Sequence, residues 1–348
     1  MRASLNSIRP RGLGAEGLND LAARLRRRIV GQTEAIDEIV PYVELFEAGL
    51  APAGRPAGVF LLLGPTGTGK TRTVEALAET LHGSERHVLR IDCGEFQLEH
   101  EVAKLIGAPP GYLGHRETQP MVSQQKLNAV ASERSGLSIV LLDEIEKAAP
   151  SMTRLLLGVL DKASLKLGDN TTVNFERSLI FMTSNLGARA MMAEVQDRFG
   201  LAAALPRGAS SKALRSLGLA AVRKRFSPEF VNRVDAILTY QPLDRAAVEQ
   251  ILDLQLEVLA RHIDTRLGPA GFRLSLTWAA REFLIERGTS SEYGARELKR
   301  VIHRHLIQPL ARLVLDQAAE PGEMLTVDVG PDGNSLRFAP KFEDACAA

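Results

Sequence analysis

The sequence predicts an α/β fold: a doubly wound parallel sheet followed by a smaller α+β unit. Three observations predict it. Five short apolar runs, at 59–63, 88–91, 138–142, 179–182 and 236–238, alternate with stretches of helical period. Near-continuous apolar runs joined by helical crossovers are the mark of parallel strands buried on both faces. The first run enters a glycine-rich turn from which a helix leaves, over about residues 71–81. The pattern then changes near Gln241-Pro-Leu-Asp244. A chain of 348 residues has room for about two such domains.

In chain order, residues 1–20 are rich in Gly, Arg and small polar residues and read as a flexible lead. From Leu21 to about Ala48 the pattern is helical, with breaks expected at Val30-Gly31-Gln32 and at Pro41. The large domain is expected over 21–240, the small one over 241–340, and a tail over 341–348. Asp244 can cap a helix carrying Val248, Ile251, Leu252 and Leu259 on one side. Residues 271–276 alternate like a half-buried strand, and Thr277 can cap a helix ending at Gly288. A longer helix carries Leu298, Val301, Ile302, His305 and Leu306. Residues 324–329 and 335–338, joined by Pro331-Asp-Gly333, read as a hairpin.

Hydrophobic residues make up 45% and charged residues 24%, enough for a sizeable core. The formal net charge of +1 gives no case for nucleic acid or a membrane surface as partner. Cys93 and Cys346 make neither a disulfide framework nor a metal motif. No apolar run approaches the roughly 20 residues that span a bilayer, and the N-terminus lacks a signal-peptide core. A reducing, cytoplasmic setting is the expectation.

Gly64-Pro65-Thr66-Gly67-Thr68-Gly69-Lys70-Thr71 fits G-x-x-x-x-G-K-[ST] between a strand and a helix. The glycines let backbone N–H groups turn inward around an anion, aided by the helix N-terminus. Lys70 is expected to reach the β- and γ-phosphates of ATP, and Thr71 to offer its hydroxyl to Mg²⁺. The run 138–142 delivers Asp143 and Glu144 at a strand's C-terminal end. Asp143 is expected to hold Mg²⁺ through water, and Glu144 to polarise the attacking water.

With these motifs the chain resembles the AAA+ ATPases, and within them the C-terminal ATPase module of the Clp family of protein unfoldases and disaggregases. The resembling segments are Arg28-Ile-Val-Gly-Gln32, the phosphate loop, Leu105-Ile-Gly-Ala-Pro-Pro-Gly-Tyr-Leu-Gly114, Leu141-Leu-Asp-Glu-Ile-Glu-Lys-Ala148, Phe181-Met-Thr-Ser-Asn-Leu-Gly187, Phe226-Ser-Pro-Glu-Phe-Val-Asn-Arg-Val-Asp235 and Tyr293-Gly-Ala-Arg-Glu-Leu-Lys-Arg300. The resemblance implies a P-loop NTPase large domain with a C-terminal lid. It implies that Asn185 bridges water and γ-phosphate as sensor 1. It implies that Arg233 is the arginine finger toward a neighbouring subunit, with Arg225 the second choice. Arg296 would be sensor 2, and Ile29 and Val30 would line the adenine pocket. For Arg233 the plain alternative is a salt bridge to Glu229 or Asp235; for Ile29 and Val30 it is helix-entry packing.

Gly111-Tyr112-Leu113-Gly114 resembles the pore loop whose aromatic rings grip a polypeptide. An aromatic grips by apolar area and needs no particular side chain opposite. A second pore loop is expected within 162–173. Phe199-Gly200-Leu201 stands near the place of a protease-docking loop, before the Gly/Ser-rich stretch 206–211, but reads better as a helix end. The 63 residues before Gly64 suggest one ATPase module with a short lead, without the substrate domain or first module of the large disaggregases. The expected function is an ATP-driven chaperone or unfoldase motor in a hexameric ring of identical subunits, acting on unfolded or misfolded polypeptide. A protease or adaptor is a further expected partner. The alternatives are a non-threading regulator or scaffold, and an unfoldase subunit of an ATP-dependent protease.

Overall fold

A computed structural model of the chain describes residues 20–107, 120–201, 207–289, 294–316 and 321–340. They form two compact units, one of the residues up to Gln241 except Thr66–Thr68, the other of Thr66–Thr68 and the residues from Pro242 onward.

Strands β1 (Gly58–Leu63), β2 (Leu89–Asp92), β3 (Ser138–Asp143), β4 (Ser164–Lys166), β5 (Thr172–Asn174), β6 (Ser178–Ser184) and β7 (Ala236–Thr239) run through the first unit. Five make one sheet in the spatial order β2-β3-β6-β1-β7, every pair parallel. This is the predicted doubly wound sheet. β4 and β5 form a separate antiparallel hairpin.

Successive side chains of a strand face opposite ways, so an apolar strand feeds two cores. Val59, Leu61 and Leu63 of β1 enter one core with Ile180 and Met182 of β6. Phe60 and Leu62 enter the other with Leu179 and Phe181. In that second core Phe60 stacks on Phe181 with ring centroids 5.1 Å apart, and Tyr42 meets Phe60 edge-on at 5.0 Å. Such aromatic pairs add about 0.5–1.5 kcal/mol beyond the area they bury. The helices Leu21–Arg28, Thr33–Glu47 and Lys70–His82 line this core. Helix Pro150–Lys162 lines the first.

The break expected at Pro41 does not occur: Thr33–Glu47 runs through it as one helix. Proline removes a backbone hydrogen bond and crowds the preceding turn. Ile36, Ile39, Val40 and Val43 are buried on the face opposite, and their burial outweighs that local cost. The break at Val30–Gln32 is present, with Gly31 in the left-handed region at φ 77°. In the Gly/Ser-rich stretch, helix Arg207–Arg225 already starts at Arg207.

The helix Lys70–His82 ends on a buried histidine. The His82 Nδ1 is 2.9 Å from Ser132 Oγ, and its ring stacks on His87 at 5.3 Å. Burial, with the nearby His87 as a lesser cause, lowers its pKa to about 4. The unfolded chain then binds the extra proton first, so stability is full above about pH 6.5 and is lost as pH falls toward 4. We expect denaturant melts to show wild type losing up to about 3 kcal/mol across that window from this group alone. His82→Asn, which keeps an acceptor toward Ser132, should flatten that part of the profile; an unchanged profile would remove His82 as its source.

In the second unit β8 (Arg273–Leu276), β9 (Met324–Val329) and β10 (Leu336–Pro340) form one sheet in the order β10-β9-β8. β9 and β10 are the expected hairpin, and β8 joins β9 in parallel. Asp244 and Thr277 cap helices Arg245–Leu267 and Trp278–Gly288, accepting the N–H of Ala247 at 2.8 Å and of Ala280 at 3.1 Å. The expected longer helix is Ala295–Ile302 and Gln308–Leu315 joined by a π-helical turn, His303–Ile307. Among the described residues no helix is long and apolar enough to cross a membrane.

Candidate functional site

β1 lies between β6 and β7 while β2 and β3 lie beyond β6, so the strand order reverses at β1. In open α/β sheets, ligands bind at the carboxyl ends of the strands at such a switch point. The glycine-rich segment leaves β1 there. Gly64 has φ +149°, and a Cβ on it would stand 2.6 Å from the Tyr240 carbonyl oxygen. Tyr240 is held that close because its N–H donates to Leu63 O at 2.6 Å and its hydroxyl donates to Thr73 Oγ1 at 2.8 Å. Burial pushes the tyrosine pKa up, so the hydroxyl remains a donor. Gly67 and Gly69 sit at φ 77° and 102°, conformations that side chains disfavour, and the helix begins at Lys70.

Lys70 is buried, and its ammonium donates to Gly64 O at 2.6 Å, Pro65 O at 2.9 Å and Asn185 Oδ1 at 2.9 Å. This joins the loop after β1 to the end of β6. Thr71 is half-buried on the first helical turn. Asp143 closes β3, in register with Asp92 of β2. Glu144 follows in the left-handed region, at φ 54° and ψ 48°. That conformation costs a non-glycine residue about 1–2 kcal/mol. It turns the chain sharply off the strand end into the short 3₁₀ turn Ile145–Lys147.

Thr183 of β6 holds this arrangement. Its buried hydroxyl donates to Asp143 Oδ1 and accepts the Glu144 N–H, the latter at 3.0 Å. Two residues on, the Asn185 N–H donates to Glu146 Oε1 at 3.1 Å. The sequence reading missed Thr183. Its one signal is a hydroxyl directly after the apolar run Leu179–Met182 of the strand, beside the acidic strand end. Glu144 is also paired with Lys147 at 2.5 Å, both side chains part-exposed, and the hydrogen bond to Glu144 raises the lysine pKa. Cys93, below the acidic residues, is buried; that burial, and the nearby carboxylates of Asp92 and Asp143, push its thiol pKa up. It stays protonated and unreactive.

The other expected site residues stand as follows. Ile29 is buried in the second core and Val30 is half-buried. Beside them the Gln32 side-chain amide pairs reciprocally with the Gln241 backbone: Nε2 donates to Gln241 O at 3.0 Å and Oε1 accepts Gln241 N–H at 3.2 Å. Arg233 donates to Glu229 O at 2.9 Å and lies 3.2 Å from the Glu229 carboxylate and 3.6 Å from that of Asp161. Asp235 pairs instead with Arg55 at 2.7 Å and accepts the Val59 N–H at 2.8 Å. Arg225 donates to backbone carbonyls of the acidic turn. Arg296 is exposed on the first turn of Ala295–Ile302 in the second unit. Gly111, Tyr112, Leu113 and Gly114 lie outside the described residues. Residues 162–173 hold the β4–β5 hairpin, with Leu165 and Val173 buried beneath it. Helix Ala188–Leu201 runs through Gly200 to Leu201.

Known proteins give the context. Residues 55–237 match the family model described as AAA domain (Cdc48 subfamily), and residues 243–327 match the C-terminal, D2-small domain of ClpB protein. The chain is 38% identical to Chaperone protein ClpB of Meiothermus ruber, over 93% of this chain and 36% of that protein. It is 35% identical to Heat shock protein 100 of Trypanosoma brucei brucei, over 94% of this chain and 35% of that protein. It thus spans about a third of the length of these relatives. Among solved structures it resembles the S. cerevisiae Hsp104:casein complex in its extended conformation. The TM-score there is 0.78 at 29% identity, over 93% of this chain and 52% of that one. A closed-state reconstruction of Hsp104 with ATPγS and FITC casein gives 0.77 at the same identity and coverage. A family model that takes in over half of the chain, on a sheet of this topology, settles the kinship: the chain belongs to the AAA domain family, on its Clp branch.

Proposed function

We propose that this module binds ATP with Mg²⁺, hydrolyses it, and uses the cycle to pull on an unfolded or misfolded polypeptide as one subunit of a hexameric ring in the cytoplasm. The observation that carries the reading is the stitching of three strand ends. Lys70 bonds Asn185, and Thr183 bonds both Asp143 and Glu144, so cation, acids and amide share one sheet edge.

The donor set suits a hard cation. Among the described residues no group of three or more His, Cys, Asp or Glu is placed to hold a metal ion. Mg²⁺ commonly takes one or two protein oxygens and completes its shell with phosphate and water. Thr71 and Asp143 would hold it. When bound it would neutralise charge on the phosphates. Lys70 would give up its carbonyl partners for phosphate oxygens. Glu144 accepts the proton of a water that attacks the γ-phosphorus, as the bond to the bridging oxygen breaks. The Asn185 amide orients that water. Arg233 of the adjacent copy spreads its guanidinium over the phosphoryl oxygens. Ile29 and Val30 flank the adenine, and Arg296 answers to the phosphates from the second unit.

For the mechanical step, Tyr112 within Gly111–Gly114 is the proposed grip. The names of the ClpB relatives and the casein in the Hsp104 structures support a polypeptide substrate. The test combines particle mass, with a slowly hydrolysed ATP analogue, and unfolding of a tagged fluorescent protein. A nucleotide-dependent ring is expected. Tyr112→Ala should keep ATP turnover within about twofold and lose unfolding at least tenfold, as a contact made only to the moving chain would. Unfolding that survives Tyr112→Ala would leave the non-threading regulator as the better reading; a protease or adaptor would then be sought by co-purification.

A further inference from the structure

By sequence Arg225 is the second choice for a residue that reaches a neighbour's nucleotide. Its surroundings point elsewhere. Nε donates to the Glu146 carbonyl at 3.0 Å, and Nη2 donates to the same carbonyl at 2.7 Å and to that of Ala148 at 3.0 Å. A planar guanidinium can bridge two carbonyls in this way; an ammonium presents no such fork. The carbonyls belong to the turn that follows Glu144, whose left-handed backbone persists only where neighbours hold it. Thr183 holds that turn from the strand side and Arg225 from the other.

Arg225 also sits at the root of the segment that bears Arg233. It is the last residue of helix Arg207–Arg225. Its guanidinium carbon is 5.7 Å from the centre of the Phe226 ring, which stacks on Phe230 at 4.8 Å. Ser227 caps the short helix Pro228–Val231, accepting the Phe230 N–H at 3.3 Å. The Phe230 carbonyl in turn accepts the Arg233 N–H at 3.2 Å. A continuous set of contacts therefore runs from the acidic turn to Arg233.

We infer that Arg225 is a positioning residue acting inside its own subunit, fixing the turn that carries Glu144 and tying it to the segment that bears Arg233. The inference rests on the ring and chemistry proposed above. It separates two arginines eight residues apart: Arg233 serves the neighbour's nucleotide, Arg225 the home subunit's acid.

The test mixes two variants before assembly. Arg225→Ala should lower kcat at least tenfold while KM for ATP stays within about twofold, because the turn and not the nucleotide pocket is loosened. Arg233→Ala should be slower still. In a head-to-tail ring formed at random from equal amounts of both, about a quarter of seams join an intact turn to an intact neighbouring finger. Recovery above both separate variants is therefore expected on mixing, with about a quarter of wild-type turnover as its ceiling, because Arg225→Ala also loosens the segment that bears its own Arg233. If Arg225 served the neighbour instead, every seam in the mixture would lack one arginine. No recovery above the separate variants would then overturn the inference, as would a wild-type kcat in Arg225→Ala. Should Arg225→Ala melt early, Arg225→Lys, which keeps charge but not fork, takes its place under the same mixing criterion. Absence of ATP turnover in the unaltered chain would instead sink the proposed function.

Discussion

Glu144→Gln should retain ATP yet turn it over about 10²–10⁴ times more slowly, the usual weight of a general base. The amide is nearly isosteric, and the backbone bond from the Glu144 N–H to Thr183 Oγ1 is untouched. The strained turn should therefore survive, and only proton acceptance is lost. Lys147 now pairs with this carboxylate, but both side chains are part-exposed, at 48% and 35%. Such pairs are worth at most about 1 kcal/mol, so the glutamate is readily released to a water. Steady-state ATP turnover, together with retention of a fluorescent nucleotide, checks the prediction. Turnover at the wild-type rate would take the base role away from Glu144.

Arg233→Ala should lower turnover about 10³-fold or more, the range for a guanidinium delivered across a seam to a transferring phosphoryl group. Its partners in the structure are its own subunit's Glu229 and Asp161, whose side chains are 60% and 49% exposed. Exchanging those screened pairs costs about 1 kcal/mol each. The stabilisation of transition-state charge is several times larger, so the exchange favours the phosphate. Nucleotide affinity of the dilute, unassembled chain should not change, and there the variant and wild type should be equally slow. A variant ring with undiminished turnover would confine Arg233 to its ion pairs.

Strands β1, β3 and β6 were legible because each is a short apolar run, and an apolar run buried on both faces needs no partner information to be recognised; β4 and β5 were not, because each buries a single side chain. The phosphate loop was legible because left-handed glycines leave a mark in composition. Pairing was not: nothing in 271–276 says that β8 joins β9 in parallel, since that choice is made by the helices packed against it. Pro41 misled because local propensity was read without the buried apolar face, Ile36, Ile39, Val40 and Val43 among it, that holds its helix together. Thr183 stayed hidden because one hydroxyl in a strand reads as strand. Arg225 stayed ambiguous because charge alone does not say which carbonyls it meets. Tyr112 carries the mechanical part of the reading and stands outside the described residues.

The alternation along β1 has a consequence for how such a chain can drift over time. Odd and even positions of the strand answer to separate interiors. An enlarged side chain on one side cannot be accommodated by shrinking one on the other, so compensating changes must arise within a single interior. The backbone acts as a party wall: its two households can be refurbished independently, while the phosphate loop mounted on its end keeps the same address.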